Sequence, residues 1–497
     1  MPPKSRRSHF PECSPPLGCS SGSSSPCGTT HGRWSAKSYR KRYSTAVNAL
    51  ERIAEATRGT KWEGRLFAVG GCVRDSLMGL PESSDFDIVS EESSQELALF
   101  LHTAGVSSIS PVTYPRFGTA LVHIGDANVE IVTARRESYA PDSRKPEITP
   151  ATLLDDAKRR DFTINTLLRN LHTGEVLDPL GTGLQDLQGR VLRTPLDPEA
   201  TFSDDPLRML RAVRFRWRLD LAPAEGLYDA IRRRRERLRI VSAERIRNEL
   251  VLMLEHATAA DALADLMDLG LLELILPELK EGVGVDQGDY HTKPVWEHTL
   301  DVVRNAAEYG ELRITLAALF HDVAKPRTKS VDDEGRIRFF GHERLGAEMT
   351  REAMSRLRFS RDLTEQVATL VRNHMRLGSM PVFTPTAARR LVRDLGELVD
   401  PLIKLCRADA EAIRAGPPRA DFDAIERRVA EVRATATPKQ LSSPLTGSEV
   451  MALLRLQEGP EVGKWLRRLD DAVLEGEVPP NDKEAAREWL LRETRRA

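Results

Sequence analysis

Leu66-Phe67-Ala68-Val69-Gly70-Gly71-Cys72-Val73-Arg74-Asp75, followed by Asp85-Phe86-Asp87, is the stretch on which the reading of this chain turns. An apolar run ending in two glycines that open a helical pattern leaves backbone N–H groups free to approach phosphates, and a helix N-terminus favours negative charge. The pattern predicts a strand over Leu66–Val69 and a helix over Val73–Leu80. Alternate residues of a strand point to one side, so Asp85 and Asp87 converge while Phe86 turns to the core. Paired carboxylates repel unless a cation sits between them. An all-oxygen pair suits Mg²⁺ bridging substrate phosphates.

Working outward, Phe86–Val89, Ala120–Ile124 and Val129–Val132 also read as strands. Glu130 stands among β-branched residues in the last of them. It is either a solvent-facing residue of a half-exposed sheet or a third carboxylate beside Asp85 and Asp87, the set that two Mg²⁺ ions would need. Arg159-Arg160-Asp161-Phe162-Thr163-Ile164-Asn165 adds two phosphate-capable cations. Beyond about residue 190 the strand signal disappears. Helical patterns run to the C-terminus, broken at Pro277, Gly282, Pro381, Pro417-Pro418 and Pro444. The fold class expected is α+β, a small mixed-sheet head followed by an elongated all-α body.

Gly-Gly-x-Val-Arg-Asp with Asp-x-Asp, then Arg-Arg-Asp-Phe-Thr-Ile-Asn, then Asp204-Asp205-Pro206-Leu207-Arg208-Met209-Leu210-Arg211-Ala212-Val213-Arg214-Phe215 occur in order. In this the chain, from about residue 45 onward, resembles the bacterial class II tRNA nucleotidyltransferase and poly(A) polymerase family, with its polymerase β-like head. The resemblance implies that Gly70 and Gly71 hold the triphosphate, that Asp85, Asp87 and Glu130 are the catalytic carboxylates around Mg²⁺, and that Arg159, Arg160, Asp161 and Asn165 contact the nucleotide. Arg74 and Arg211, within the same motifs, count as nucleotide-binding with them. Substrates implied are tRNA, ATP and CTP. The segment Arg135 to Pro146 matches the family's flexible loop, which CC-only relatives lack, so terminal A addition is expected. A poly(A) polymerase or an A-only enzyme remains the alternative.

Asp204, Asp205 and Arg208 fall at the start of an expected helix, with Asp205 and Arg208 on one face. Cytosine and adenine each present an amino donor beside a ring-nitrogen acceptor. A carboxylate accepts from the first and a guanidinium donates to the second, whereas uracil and guanine place a carbonyl against the carboxylate. One Asp/Arg pair can thus select CTP and ATP without a template strand. The family usually has Glu where this chain has Asp204.

The chain has 497 residues and a formal net charge of -1, with 40% hydrophobic and 30% charged residues. That size predicts several domains, and that neutrality excludes a uniformly basic coat protein. Charge is instead local: Leu207 to Asn248 carries thirteen Arg against five acids, including the run Arg232, Arg233, Arg234, Arg235. A solvated helix face is the plain reading; beside a nucleotidyl-transfer site, a track for RNA phosphates is the sharper one.

Five of eleven histidines lie between His291 and His374. The order His298, His321-Asp322, His342, His374, Asp409 resembles the HD phosphohydrolase superfamily, which implies a second centre for Mg²⁺ or a divalent transition metal and, as a reading of another class, a phosphohydrolase acting on RNA ends. Lys325 follows closely enough to meet a substrate phosphate. Cys13, Cys19 and Cys27 lie in a Ser/Pro/Gly-rich tail, and no spacing suggests disulfides. With no apolar run of bilayer length, a cytoplasmic protein without membrane or DNA partners is expected. The domains expected are a disordered tail (1–40), a nucleotidyltransferase head (41–190), a neck (191–265), an HD domain (266–415) and a C-terminal helical domain (416–497) that, by the resemblance, holds tRNA.

Overall fold

The computed structural model describes residues 49–81, 85–115, 118–138, 147–288, 293–378, 383–413 and 420–495. The expected tail with its three cysteines lies outside those residues, as do residues 139–146 of the Arg135–Pro146 loop, His291, Pro381 and Pro417-Pro418.

In the head, helix α1 (49–56) precedes β1 (Leu66–Val69), α2 (Gly71–Leu77), β2 (Asp85–Ser90), α3 (Ser94–Thr103), β3 (Val112–Tyr114), β4 (Thr119–Ile124) and β5 (Ala127–Thr133). A hairpin β6–β7 (Arg135–Ser138, Glu147–Pro150), α4 (Leu153–Lys158), β8 (Leu168–Asn170), β9 (Val176–Leu177) and α5 (Gly183–Gln188) complete it. Seven strands form one sheet in the order β3-β4-β5-β2-β1-β8-β9. Every pair is antiparallel except β2 with β5.

Strand alternation decides which side of this sheet is core. Leu66, Ala68, Phe86, Ile88, Val122, Val129 and Ile131 face the helices, with Leu97, Ala98 and Leu101 of α3 buried in the same cluster. On the other face Phe67, Val69, Val89, Ala134 and Leu168 make a small apolar patch of their own. Asp85 and Asp87 are exposed on that second face while Phe86 is 2% exposed, so β2 is buried on both sides only past its acidic start. Emptying the Phe86 site (Phe86→Ala) would cost about 3–5 kcal/mol.

The four strands read from the sequence are present, Leu66–Val69 with the expected bounds and the other three one to three residues longer, and the helix expected over Val73–Leu80 runs from Gly71 to Leu77. The strands that sequence reading passed over are the short or polar ones; β3, for example, is exposed throughout and so carries no apolar alternation. Past residue 190 only two-residue strands occur among the described residues, Val191–Leu192 beside Ala222–Pro223 and Ser330–Val331 beside Ile337–Arg338.

The helical body begins with α6 (Pro198–Asp204), α7 (Leu207–Leu219), α8 (Leu227–Arg234), α9 (Ala243–Leu254) and α10 (Ala259–Asp268). Then come α11 (Val295–Ala307), α12 (Leu312–Phe320), α13 (His342–Arg356), α14 (Arg361–Asn373), α15 (Pro385–Leu395) and α16 (Val399–Ala412). The last four are α17 (Phe422–Thr435), α18 (Gly447–Leu454), α19 (Pro460–Glu475) and α20 (Lys483–Thr494). One apolar cluster runs from the head through the neck and into α17, which contributes Phe422, Ile425 and Val429. A separate core starts at Leu445 and gathers Val450, Trp465, Leu469 and Trp489. By packing, α17 therefore goes with the helices before it rather than with those after. No described helix is long and apolar enough to cross a membrane.

Candidate active site and metal centres

Parallel pairing of β2 and β5 sets Asp87 directly opposite Glu130 and Asp85 opposite Asn128, whose amide donates to Asp85 Oδ1 at 3.3 Å. All four stand exposed on the open face. Surrounding protein, then the like charge of Asp85, raise the Asp87 carboxyl above its ordinary value despite Arg160 and Arg211. Glu130 is raised in the same way, first by burial and then by Asp87. Three acids that repel one another across one sheet face fit divalent cations. At the head of α2, Gly70 has φ +79° and ψ −134°, a region open to glycine alone, and a Cβ there would lie 3.5 Å from Asp87 Oδ2. Gly71 starts the helix, so the backbone approaches the carboxylates with nothing in between.

Opposite stand Arg159 and Arg160, and both are held by Asp156, which the motif reading missed. Thr152 and Asp155 form a capping box that starts α4, so Asp156 precedes the two arginines by three and four residues. Its Oδ1 accepts from Arg159 Nε and Nη2 (2.8 and 2.6 Å) and its Oδ2 from Arg160 Nε at 3.0 Å. Burial would raise the Asp156 carboxyl; the two guanidiniums hold it below its ordinary value. An acid ahead of paired arginines at that spacing was the available signal.

Four other nucleotide-binding candidates are placed behind this face. Arg74, 3% exposed, donates to Asp75 and to Asn165 Oδ1 (2.7 Å each). Asn165 in turn donates to Asp161 Oδ1 at 2.9 Å, and Asp161 Oδ2 accepts from Arg211 Nε at 2.8 Å. Burial works against the Asp161 charge, but Arg211 and the Asn165 hydrogen bond hold its carboxyl well below the ordinary value. Arg74, Arg211 and Arg214 all lie over the Phe215 ring, at 5.0, 5.3 and 4.3 Å. Arg74, Asn165 and Asp161 are thus linked in one buried network in the head, which Asp161 extends to Arg211 of α7.

The expected single helix start at Asp204, Asp205 and Arg208 is also corrected. Asp204 is the last residue of α6, and Asp205 is extended (φ −134°, ψ 101°) before Pro206, whose missing N–H and ring end one helix and begin another. Asp205 and Arg208 remain one turn apart, joined by an Arg208 N–H to Asp205 carbonyl bond of 3.0 Å. Their side chains have other partners: Asp205 meets Arg245, and Arg208 Nη2 donates to the Arg159 carbonyl.

The arginine run is half exposed but paired. Arg232 meets Asp229 and Asp268, Arg233 and Arg234 share Glu199, and Arg235 lies 4.0 Å from Glu236. Its field is therefore weaker than thirteen arginines suggest.

In the body, His298 (α11), His321-Asp322 (just past α12), His342 (first residue of α13), His374 (end of α14) and Asp409 (α16) converge. Two groups of three form, His298 with His321 and Asp409, and Asp322 with His342 and His374. Asp322 lies between them, Oδ2 3.1 Å from His321 Nε2 and Oδ1 3.5 and 3.8 Å from Nε2 of His342 and His374. Nδ1 of His321, His342 and His374 each faces a backbone carbonyl, Ala318, Phe339 and Val371, at 2.6–2.7 Å. That contact fixes the proton on Nδ1 and turns the Nε2 lone pair inward. His321 Nε2, Asp322 Oδ1 and Asp409 Oδ1 are buried without a hydrogen bond, a donor set that fits a metal. Burial lowers His374 to about 4, so it is neutral near pH 7. Lys325 Nζ lies 2.7 Å from Asp322 Oδ2 and donates to Gln287 at 2.7 Å.

The head thus defines a nucleotidyltransferase: acids on one sheet face, a glycine turn beneath and held arginines opposite. Residues 66–193 match the Poly A polymerase head domain, 220–282 the probable RNA and SrmB-binding site of polymerase A, and 295–413 the HD domain. The chain is 36% identical to the A-adding tRNA nucleotidyltransferase of Deinococcus radiodurans over 82% of its own length and 92% of the relative's. It is 35% identical to the CC-adding tRNA nucleotidyltransferase of Thermus thermophilus over 86% and 93%. The fold is shared with the Bacillus stearothermophilus CCA-adding enzyme in complex with CTP (TM-score 0.64, 22% identity, 91% of this chain and 98% of that one). The chain belongs to the tRNA nucleotidyltransferase and poly(A) polymerase family.

Proposed function

We propose that this enzyme builds or repairs the 3′-terminal CCA of tRNA from CTP and ATP without a template strand. The observation that carries the reading is the register of β2 on β5, which aligns Asp87 with Glu130 and keeps Asp85 on the same face. In this reading the three acids hold Mg²⁺, which when bound lowers the pKa of the RNA 3′-hydroxyl and neutralises the departing pyrophosphate. Arg159 and Arg160, fixed by Asp156, orient the triphosphate over Gly70 and Gly71. Asp205 and Arg208 read the base, while Arg74, Asp161, Asn165 and Arg211, joined in one network, contact the nucleotide with Arg159 and Arg160. The half-exposed arginines Arg232–Arg235 exchange their carboxylate partners for RNA phosphates, and the helices after Leu445 take the body of the tRNA. The nucleotide pool and the buried free cysteines Cys72 and Cys406 agree with a cytoplasmic setting.

Near-equal identity to an A-adding and a CC-adding relative leaves the choice of product to experiment. The expected flexible segment Arg135–Pro146, which opens with β6 and leads into β7 of the same hairpin, supports terminal A addition. With tRNA ending at the discriminator base, at -C or at -CC, and CTP and ATP offered separately, the expected result is addition of CC and then A. Addition of A alone, or of long A tails, would replace this reading with the A-only or poly(A) alternative. The six-residue body centre favours a second activity, metal-dependent phosphoester hydrolysis at RNA ends, with His298, His321, Asp322, His342, His374 and Asp409 as ligands.

A further inference from the structure

We propose that Arg245 sets the nucleotide selectivity of the head by holding the Asp205 carboxylate in its base-reading orientation. The inference rests on the reading of Asp205 and Arg208 as the base-selecting pair. Arg245, near the start of α9, forks onto Asp205: Nη2 to Oδ2 at 2.7 Å and Nη1 to Oδ1 at 3.3 Å. Oδ1 also accepts from the Leu207 N–H at 3.2 Å. Both oxygens are thus anchored on one side, and the carboxylate plane is set by a rigid planar donor rather than by its own two soft torsions.

The neighbourhood explains why such an anchor is needed. Arg208 is one turn away, and the Arg211 guanidinium feels the Asp205 charge as well as those of Asp161 and Glu249. A loose Asp205 would be captured by one of these guanidiniums. Its acceptor would then be spent on the protein, and the amino group that distinguishes C and A from U and G would find no partner. In this structure Arg208 is instead occupied by the Arg159 carbonyl, and Arg211 by Asp161, so each cation near Asp205 has a separate anchor. The Asp205 side chain is 21% exposed and that of Arg245 39%, which leaves the pair partly open to solvent. Arg245 is a positioning residue; it acts on the base through Asp205.

The test compares wild type, Arg245→Ala and Arg245→Lys on tRNA ending at the discriminator base and at -CC, with each of the four nucleoside triphosphates alone. The readouts are the kcat/KM ratios CTP over UTP and ATP over GTP, taken with the Tm of each protein. Arg245→Ala is expected to lower whichever ratio the wild type shows by roughly tenfold or more. Arg245→Lys, which keeps the charge and loses the fork, is expected to fall between. Equal loss for all four nucleotides with unchanged ratios, in either folded variant, would make Arg245 merely structural and overturn the proposal. If Arg245→Ala does not fold, the lysine variant decides on the same ratio. Wild type that incorporates without preference overturns the base-reading assignment itself, a distinct failure.

Discussion

In the head, three carboxylates stand exposed on one sheet face; in the body, four imidazoles and two carboxylates close on one another inside a helical core. The first set has oxygen ligands only and leaves coordination positions for a substrate's phosphates. A cation held there would share its coordination with the nucleotide. The second offers nitrogen ligands whose orientation is locked by backbone carbonyls before any metal arrives, which is how a resident metal is held. One chain thus carries an acid face completed by its substrate and a pocket completed by the protein. The contrast lies in burial and in who supplies the remaining ligands, more than in residue count.

The sharpest way to break that comparison is Asp87→Asn. Nucleotide incorporation should fall by roughly 10³-fold or more while tRNA binding, followed by filter retention, stays near wild type. Retained incorporation would remove the acid face from the mechanism.

Metal retention separates the two centres directly. After exhaustive dialysis, elemental analysis of the intact protein should find metal held by the body. Asp322→Ala should lose that metal while nucleotidyl transfer in added Mg²⁺ changes less than about twofold. Metal kept by Asp322→Ala, or transfer lost with it, would merge the two centres.

Next in size is the network behind the acid face. The Asp161 carboxyl lies well below its ordinary value of 3.8 in the fold. Its contribution to stability is therefore complete above that value and is lost as pH falls through it toward the depressed folded value. Asp161→Asn should cost about 1–3 kcal/mol at pH 7 by urea denaturation, and the loss should shrink toward pH 3. A pH-independent difference would contradict the ion-pair account.

The smallest effect tests the arginine clamp. Asp156→Asn removes charge from one fork and should raise the KM for nucleotides roughly tenfold, with kcat changed less. An unchanged KM would mean that Arg159 and Arg160 need no holder.

Much of the head was legible along the chain because its signals are local. Gly70-Gly71, the Asp85-Phe86-Asp87 alternation and the apolar runs around them each follow from a period of two or from one backbone conformation. Asp156 was hidden because its meaning lies in two arginines that became visible only as part of a later motif. Which protein partners Arg74, Asp161 and Asn165 hold was not legible from residue type, because packing decides that, and packing is a property of the whole fold. The break at Pro206 between α6 and α7 was passed over, although a proline there disfavours helix at the residue before it.

By itself the sequence determined the order of the elements, the acid pair on one side of β2 and the ligand types of the body centre, since each depends on neighbours within a turn or a strand. Tertiary structure alone decided which acids meet which cations. Glu130 stands beside Asp87 because β5 pairs parallel with β2, residues from five helical regions reach one point in the body because those helices share a core, and Asp205 belongs to Arg245 because α9 packs against α7. Partners forty residues apart in the chain are set by how faces pack, which no local periodicity records.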